Sequence, residues 1–220
     1  MKKILAIPAL CVSLFAQSED VRRINEAAEV LNEVMGISDK AIPQELLDKA
    51  ECAVIVPGLK KGAFIVGGKY GRGFVSCRTN GVGWSAPGAV RVEGGSIGFQ
   101  IGGSESDVIM LVMNKRGAEK LLSSKFTVGG DASVAAGPVG RESSAQTDAL
   151  MRAEILSWSR SRGAFAGVSL QGATLRQDLD VNKRLYGRAA ENREIVSGKL
   201  TAPDGAAPLL AALNKYSSRK

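Results

Sequence analysis

Between residues 19 and 35 the apolar side chains Val21, Ile24, Ala27, Ala28, Leu31, Val34 and Met35 recur at helical intervals, which predicts an amphipathic helix stopped by Gly36. A shorter helix is expected from Pro43, a residue suited to the first helical turn, with Leu46, Leu47 and Ala50 facing inward. The period then changes. Apolar runs at 52–56, 63–66 and 74–78 are separated by Pro57-Gly58, by the basic stretch Leu59-Lys60-Lys61-Gly62 and by Gly71-Arg72-Gly73, a pattern that reads as an antiparallel meander with basic turns. Positions 90–93 alternate. Ile97, Phe99 and Ile101 alternate against Gly98, Gln100 and Gly102, leaving one face of that strand nearly bare. The continuous apolar run 107–113 predicts a central strand, followed by a helix at 115–123. Strand character returns at 132–136, 153–160 and 164–170, with Gly163 turning the last pair. Helical pieces follow around 180–186, 191–196 and 207–216, divided by Gly187, Gly198 and Pro203. The fold class predicted is α+β: a glycine-rich, mostly antiparallel sheet, curled or barrel-like, flanked by N-terminal and C-terminal helices.

Lys2 and Lys3 precede a short apolar stretch at 4–16, the pattern of a secretory signal peptide cleaved near Ala16-Gln17-Ser18. The expected organisation is therefore a leader at 1–18, an amphipathic helix at 19–36 and one domain at 37–220, in a periplasmic or secreted protein. The leader is shorter than the ~20 apolar residues a membrane span needs. Cys11 follows Leu10 and so lacks the small residue that a lipidation motif places before its cysteine.

Composition narrows the chemistry. With 220 residues and 45% apolar content the chain suits a single globular domain. Histidine is absent, which excludes Ser-His-Asp and Cys-His catalysis, HExxH zinc sites and histidine pH switches. The formal charge of +7, less Lys2 and Lys3, is a bias that suits an acidic surface. Cys52 and Cys77 remain after the leader; a disulfide is permitted in an exported chain, and two buried free thiols fit the sequence equally well. Two cysteines without histidine complete no zinc site, and no metal or cofactor is expected. Aromatics at 5% and dispersed cations give no stacking platform for nucleic acid.

Motif by motif, the structural reading prevails. Gly67-Gly68-Lys69-Tyr70-Gly71-Arg72-Gly73 fails as a phosphate loop, because Ala63 holds its first glycine position and Tyr70 stands where Ser or Thr binds magnesium; a hairpin turn is expected instead. Its cations Lys69 and Arg72 meet Lys60 and Lys61 if both basic turns leave the same end of the sheet. Asp178, Asp180 and Asn182 imitate half a calcium loop, but Lys183 replaces the turn glycine, so capping carboxylates at a helix start are expected. Ser157, Ser159 and Ser161 alternate on one strand face, either solvent-facing or tightly packed, with Trp158 pointing into the core. No carboxylate pair or activated nucleophile stands out, and a hydrolase ranks last.

A series of motifs nevertheless marks the chain. They are Glu51-Cys52-Ala53-Val54-Ile55-Val56-Pro57-Gly58-Leu59-Lys60-Lys61-Gly62-Ala63-Phe64 with the glycine run at 67–73, then Gly83-Trp84-Ser85-Ala86-Pro87 and Gly94-Gly95-Ser96-Ile97-Gly98-Phe99. Further on come Asp131-Ala132-Ser133-Val134-Ala135-Ala136-Gly137-Pro138, Arg162-Gly163-Ala164-Phe165-Ala166-Gly167 and Leu185-Tyr186-Gly187. In this order they resemble the SYLF-domain family, with this chain most similar to exported bacterial members. The resemblance implies a non-enzymatic lipid-binding module related to fungal actin regulators, in which an amphipathic N-terminal segment and basic surface residues engage anionic phospholipid of a phosphoinositide-like kind. Here the 19–35 helix carries five carboxylates against Arg22 and Arg23, unlike a helix that adsorbs to anionic lipid, so packing on the sheet is as good a reading. The candidate lipid contacts are Lys60, Lys61, Lys69 and Arg72, with Lys115 and Arg116 as second choices. An envelope protein partner packing on the bare 96–103 strand face is the alternative. Actin is not expected as a partner in an exported compartment.

Overall fold

The structure is a computed structural model that describes residues 9–37, 41–63, 66–80, 83–97, 102–138, 153–161, 164–165, 170 and 172–217. Residues 98–101 of the predicted bare strand face at 96–103 and most of the run 164–170 lie outside the described residues, as does Gly163. Helix α1 (Ala9–Gly36) and α2 (Gln44–Lys49) lead into β1 (Cys52–Ala63), β2 (Val66–Thr79), β3 (Gly83–Trp84), β4 (Gly88–Ile97) and β5 (Gly102–Val112). After α3 (Lys115–Leu121) come the short β6 (Phe126–Thr127) and β7 (Val134–Ala136), then β8 (Ile155–Ser161), β9 (Ala164–Phe165) and β10 (Thr174–Gln177). Helices α4 (Leu179–Tyr186), α5 (Asn192–Glu194) and α6 (Ala207–Tyr216) end the chain. The strands form one curled sheet in the order β6-β10-β4-β2-β1-β5-β8-β7, with β3 on β2 and β9 on β8. Among the described pairings all are antiparallel except β7 on β8. The predicted fold class is the observed one.

Alternation along the strands divides the core in two. One sheet face carries Ala53, Ile55, Phe74, Ile109, Leu111 and Trp158, packed against Ile24, Leu31, Leu47 and Leu213 of the helices. Its stripe of Ile24, Ala27, Leu31 and Val34 is at most 2% exposed, so α1 packs on the sheet. The other face carries Cys52, Val54, Val56, Val75, Met110 and Ile155 with Phe126 and Leu175. Trp158 is core, as expected; a Cβ on Gly137 would meet its ring at 2.0 Å, and its indole N–H donates to the Pro138 carbonyl at 2.9 Å. Ser157 and Ser159 are buried, which decides for the packed reading of the serine face. Asp178 caps α4 by accepting from the Val181 N–H at 3.3 Å, and Gly187 ends that helix at φ 70°.

Three expected turns, Pro57-Gly58, Leu59-Lys60-Lys61-Gly62 and Gly71-Arg72-Gly73, are strand backbone. Pro57-Gly58 does not end β1: the strand continues to Ala63 through an irregularity at which its pairing with β5 steps from Val56↔Val108 to Leu59↔Ser106. Such a step is a β-bulge with one extra residue. Gly58 takes φ 57° there, and its N–H donates to Asp107 at 3.0 Å. The bulge pushes β1 onto its neighbour, so Cβ atoms on Gly71 and Gly73 would lie 2.8 Å from Leu59 Cδ1 and 2.1 Å from the Ile55 carbonyl oxygen. Gly71-Arg72-Gly73 is therefore mid-strand backbone admitting a bulge, where the sequence alone reads a hairpin. Cys52 and Cys77 are cross-strand partners joined as a disulfide (S–S 2.09 Å).

At the Thr79 end of β2, Arg78 gathers the helices. Its guanidinium lies 4.0 Å over the Trp84 ring and donates to the carbonyls of Leu47 at 3.1 Å and Ser217 at 2.8 Å, and to the Ser217 hydroxyl. Trp84 Nε1 donates to the same Ser217 carbonyl at 3.2 Å.

Replacing Arg78 with Met is expected to cost about 2–4 kcal/mol in urea unfolding, because buried carbonyls of two helix ends lose a charged donor. Gly73→Ala is expected to be comparably destabilising at roughly 2–4 kcal/mol, since backbone and not a flexible side chain occupies the Cβ position.

Candidate functional site

The six sequence-predicted cations occupy three environments. Lys61 and Lys69 are directly opposed on β1 and β2, and cross-strand partners share a face. On the other side of β1, Lys61 pairs with Ser104 of β5. These three lie on the face that carries Leu59 and Val56, the one opposite to α1. A cleft of about 710 Å³ lies at this end of the strands, lined from both faces by Lys60, Lys61, Gly62, Gly103, Ser104, Glu105 and Ser161. Lys60 points to the helix-bearing face, where it is paired with Tyr70 and Glu105.

Arg72 is not a free cation. Its Nε sits 3.1 Å from Asp178, and its guanidinium lies 5.9 Å from the Tyr70 ring centroid, so it fastens β2 to the start of α4. Lys115 and Arg116 begin α3 directly after β5, whose Val112 is paired with Cys52. Nine residues of β1 separate that level from Lys61, about 30 Å at strand rise. Arg116 faces Glu154 at 3.7 Å. Of the four cations expected to meet at the basic turns, Lys60, Lys61 and Lys69 stand together as strand residues and Arg72 is committed to an ion pair, while the second choices Lys115 and Arg116 lie at the far end.

Opposing two ammonium groups across a ladder has an electrostatic consequence. Partial burial, and then the neighbouring Lys69, hold the Lys61 ammonium below the usual lysine range. The charged form is therefore disfavoured in the folded state, and this term makes stability rise with pH between the lowered Lys61 value and the ordinary lysine value. An anion placed between Lys61 and Lys69 removes the repulsion. The Ser104 contribution is invisible in sequence, since only the β1–β5 register puts it beside Lys61.

Comparison with known proteins agrees with the motif series. A family model described as "Ysc84: Las17-binding protein actin regulator" matches residues 93–216, more than half of the chain. LAS seventeen-binding protein 3 of Saccharomyces cerevisiae is 32% identical over 205 residues, 91% of this chain and 44% of its own length. The chain belongs to the Ysc84 (SYLF) family. An SH3 domain-containing protein of Schizosaccharomyces pombe is 35% identical over 180 residues, 80% of the chain and 42% of that protein. SH3 domain-containing YSC84-like protein 1 of Xenopus laevis is 32% identical over 201 residues, 88% of the chain and 60% of the relative. The chain thus spans about half the length of these Ysc84-family relatives.

Lys61→Gln is expected to raise stability in low salt and to flatten its increase with pH below the ordinary lysine value, as read by urea midpoints over a pH series in alkaline buffer.

Proposed function

We propose that this Ysc84-family chain is a non-enzymatic, exported protein that binds anionic phospholipid head groups at a membrane surface through the Lys61–Lys69 pair. The observation that carries the reading is the like-charge pair held in register beside an open cleft with a serine hydroxyl and bare glycines at its rim. Two ammonium groups on adjacent strands present one doubly positive locus, and each cation near an anionic bilayer contributes about 1 kcal/mol. Lys60 on the other side of the same strand end adds a third. Binding of this kind is reversible and weakens with salt.

A second reading is a protein partner, for which the names of the relatives speak: "Las17-binding protein actin regulator" and "LAS seventeen-binding protein" describe protein contacts. The expectation against actin rests on the exported compartment alone, so actin belongs among the partners to be tested.

Cosedimentation with vesicles of phosphatidylcholine alone, and with added phosphatidylserine or polyphosphoinositide, at two salt concentrations, tests the first reading. Binding is expected to the anionic vesicles only, to weaken with salt, and to fall at least about tenfold in a folded Lys61→Glu/Lys69→Glu variant. Equal binding to neutral vesicles, or an unchanged affinity in the variant, overturns it; no binding to any vesicle moves the assignment to a protein partner.

A further inference from the structure

Lys61 differs from Lys60 and Lys120 in what faces it. It is partly buried, with Lys69 directly opposite on β2 and Ser104 directly opposite on β5. Cross-strand partners have Cβ atoms about 5 Å apart, so an ammonium and a hydroxyl stand within reach of the Lys61 side chain on one sheet face. The cleft that Lys61 and Ser104 line leaves room for a small group beside them. Lys60, by contrast, is paired with Glu105 across β1 and β5, and Lys120 donates to the Glu154 carboxylate at 3.2 Å and 3.3 Å.

These surroundings do two things to a primary amine. Partial burial, and then the like charge of Lys69, disfavour the ammonium form of Lys61, which leaves more of the neutral, nucleophilic amine than a solvated lysine has. The same neighbours favour a negative charge put in place of the ammonium, because an ammonium and a hydroxyl both donate to an anion. An ammonium carries three donors, so Lys69 can serve that anion beside its other contacts. A modification that turns the end of the side chain from cation to anion therefore gains on both counts at Lys61. On Lys60 or Lys120 it would set the new charge against Glu105 or Glu154.

We propose that Lys61 is a carbon dioxide site, at which the amine becomes a carbamate held by Lys69 and Ser104. The Lys61 ammonium first gives one proton to solvent. The amine lone pair then attacks the carbon of carbon dioxide, and an N–C bond forms as one C=O electron pair moves onto oxygen. A second proton leaves the nitrogen for water, so the side chain ends in N–H–COO⁻ and nothing is oxidised or reduced. Two opposed ammonium groups become an ion pair without net charge, a change of the kind by which other charge-altering modifications act. The consequence for binding rests on the head-group reading above, since the carbamate removes the doubly positive locus. The adduct itself needs no lipid.

Incubating the purified chain with isotope-labelled bicarbonate at about pH 8, trapping carbamates by ethylation with triethyloxonium and reading the peptides by mass spectrometry tests the proposal. The expected result is label on Lys61 at least about tenfold above that on Lys60 and Lys120, falling by a similar factor in Lys69→Gln and retained in Lys69→Arg. No label on Lys61, equal label on the three lysines, or unchanged Lys61 label in folded Lys69→Gln overturns it. Replacing chloride by bicarbonate at equal ionic strength is expected to weaken binding to phosphatidylserine vesicles. Labelled Lys61 with unchanged vesicle binding overturns the regulatory consequence, and labelled Lys61 in a chain that binds no vesicle overturns the head-group reading while the carbamate stands.

Discussion

The placement of everything else depends on how the helices are held to one end of the sheet, and Arg78 does this. One guanidinium, stacked on Trp84, donates to the carbonyl of Leu47 at the end of α2 and to that of Ser217 just past α6, joining segments far apart in sequence. Helix ends leave carbonyls without intrahelical partners, and burying them is costly unless a donor is supplied. A planar, always-charged fork supplies several donors at once. The Asn182–Asn192 amide pair does the same work at the next level, taking the Ala89 N–H at 2.8 Å and giving to the Ala89 carbonyl at 2.9 Å. With the helices anchored here, the sheet projects beyond them.

The bulge at Pro57-Gly58 decides what that projecting end presents. One extra residue shifts β1 so that Leu59 continues the buried face of Val56, Lys61 follows it, and Lys60 turns to the opposite side. Without the bulge the two lysines would exchange faces. Gly71 and Gly73 on β2 are the compensation, for no side chain fits against the displaced strand. The glycine-rich stretch that looks like a phosphate loop is thus a packing requirement, and the cations beside it acquire their roles from the strand register.

The projecting strand end carries the opposed Lys61 and Lys69 beside the cleft. The chain belongs to the Ysc84 family and corresponds to about half of the length of these relatives. The acidic outer side of α1 forms ion pairs on its own helix, such as Arg22 with Glu26 at 3.0 Å, and reaches across to Arg160 through Glu33, so this helix serves the fold with its apolar stripe and the surface with its charges.

Periodicity by itself determined the helices at 19–35, 180–186 and 207–216, the central strand at 107–113 and the α+β class, because burial of one face imposes a 3.6- or 2-residue repeat that needs no knowledge of neighbours. The motifs spread along the chain, not periodicity, carried the resemblance to the family. Turn signals misled where glycine and proline served a bulge, since a local preference for φ > 0 or for no side chain is the same in a hairpin and beside a displaced strand. Only the tertiary structure decided that Lys61 opposes Lys69 and Ser104, that Arg72 belongs to Asp178, that Lys115 and Arg116 stand about 30 Å away, and that Cys52 meets Cys77. Those are facts of register between strands distant in sequence, and register is set by the packing of the whole sheet.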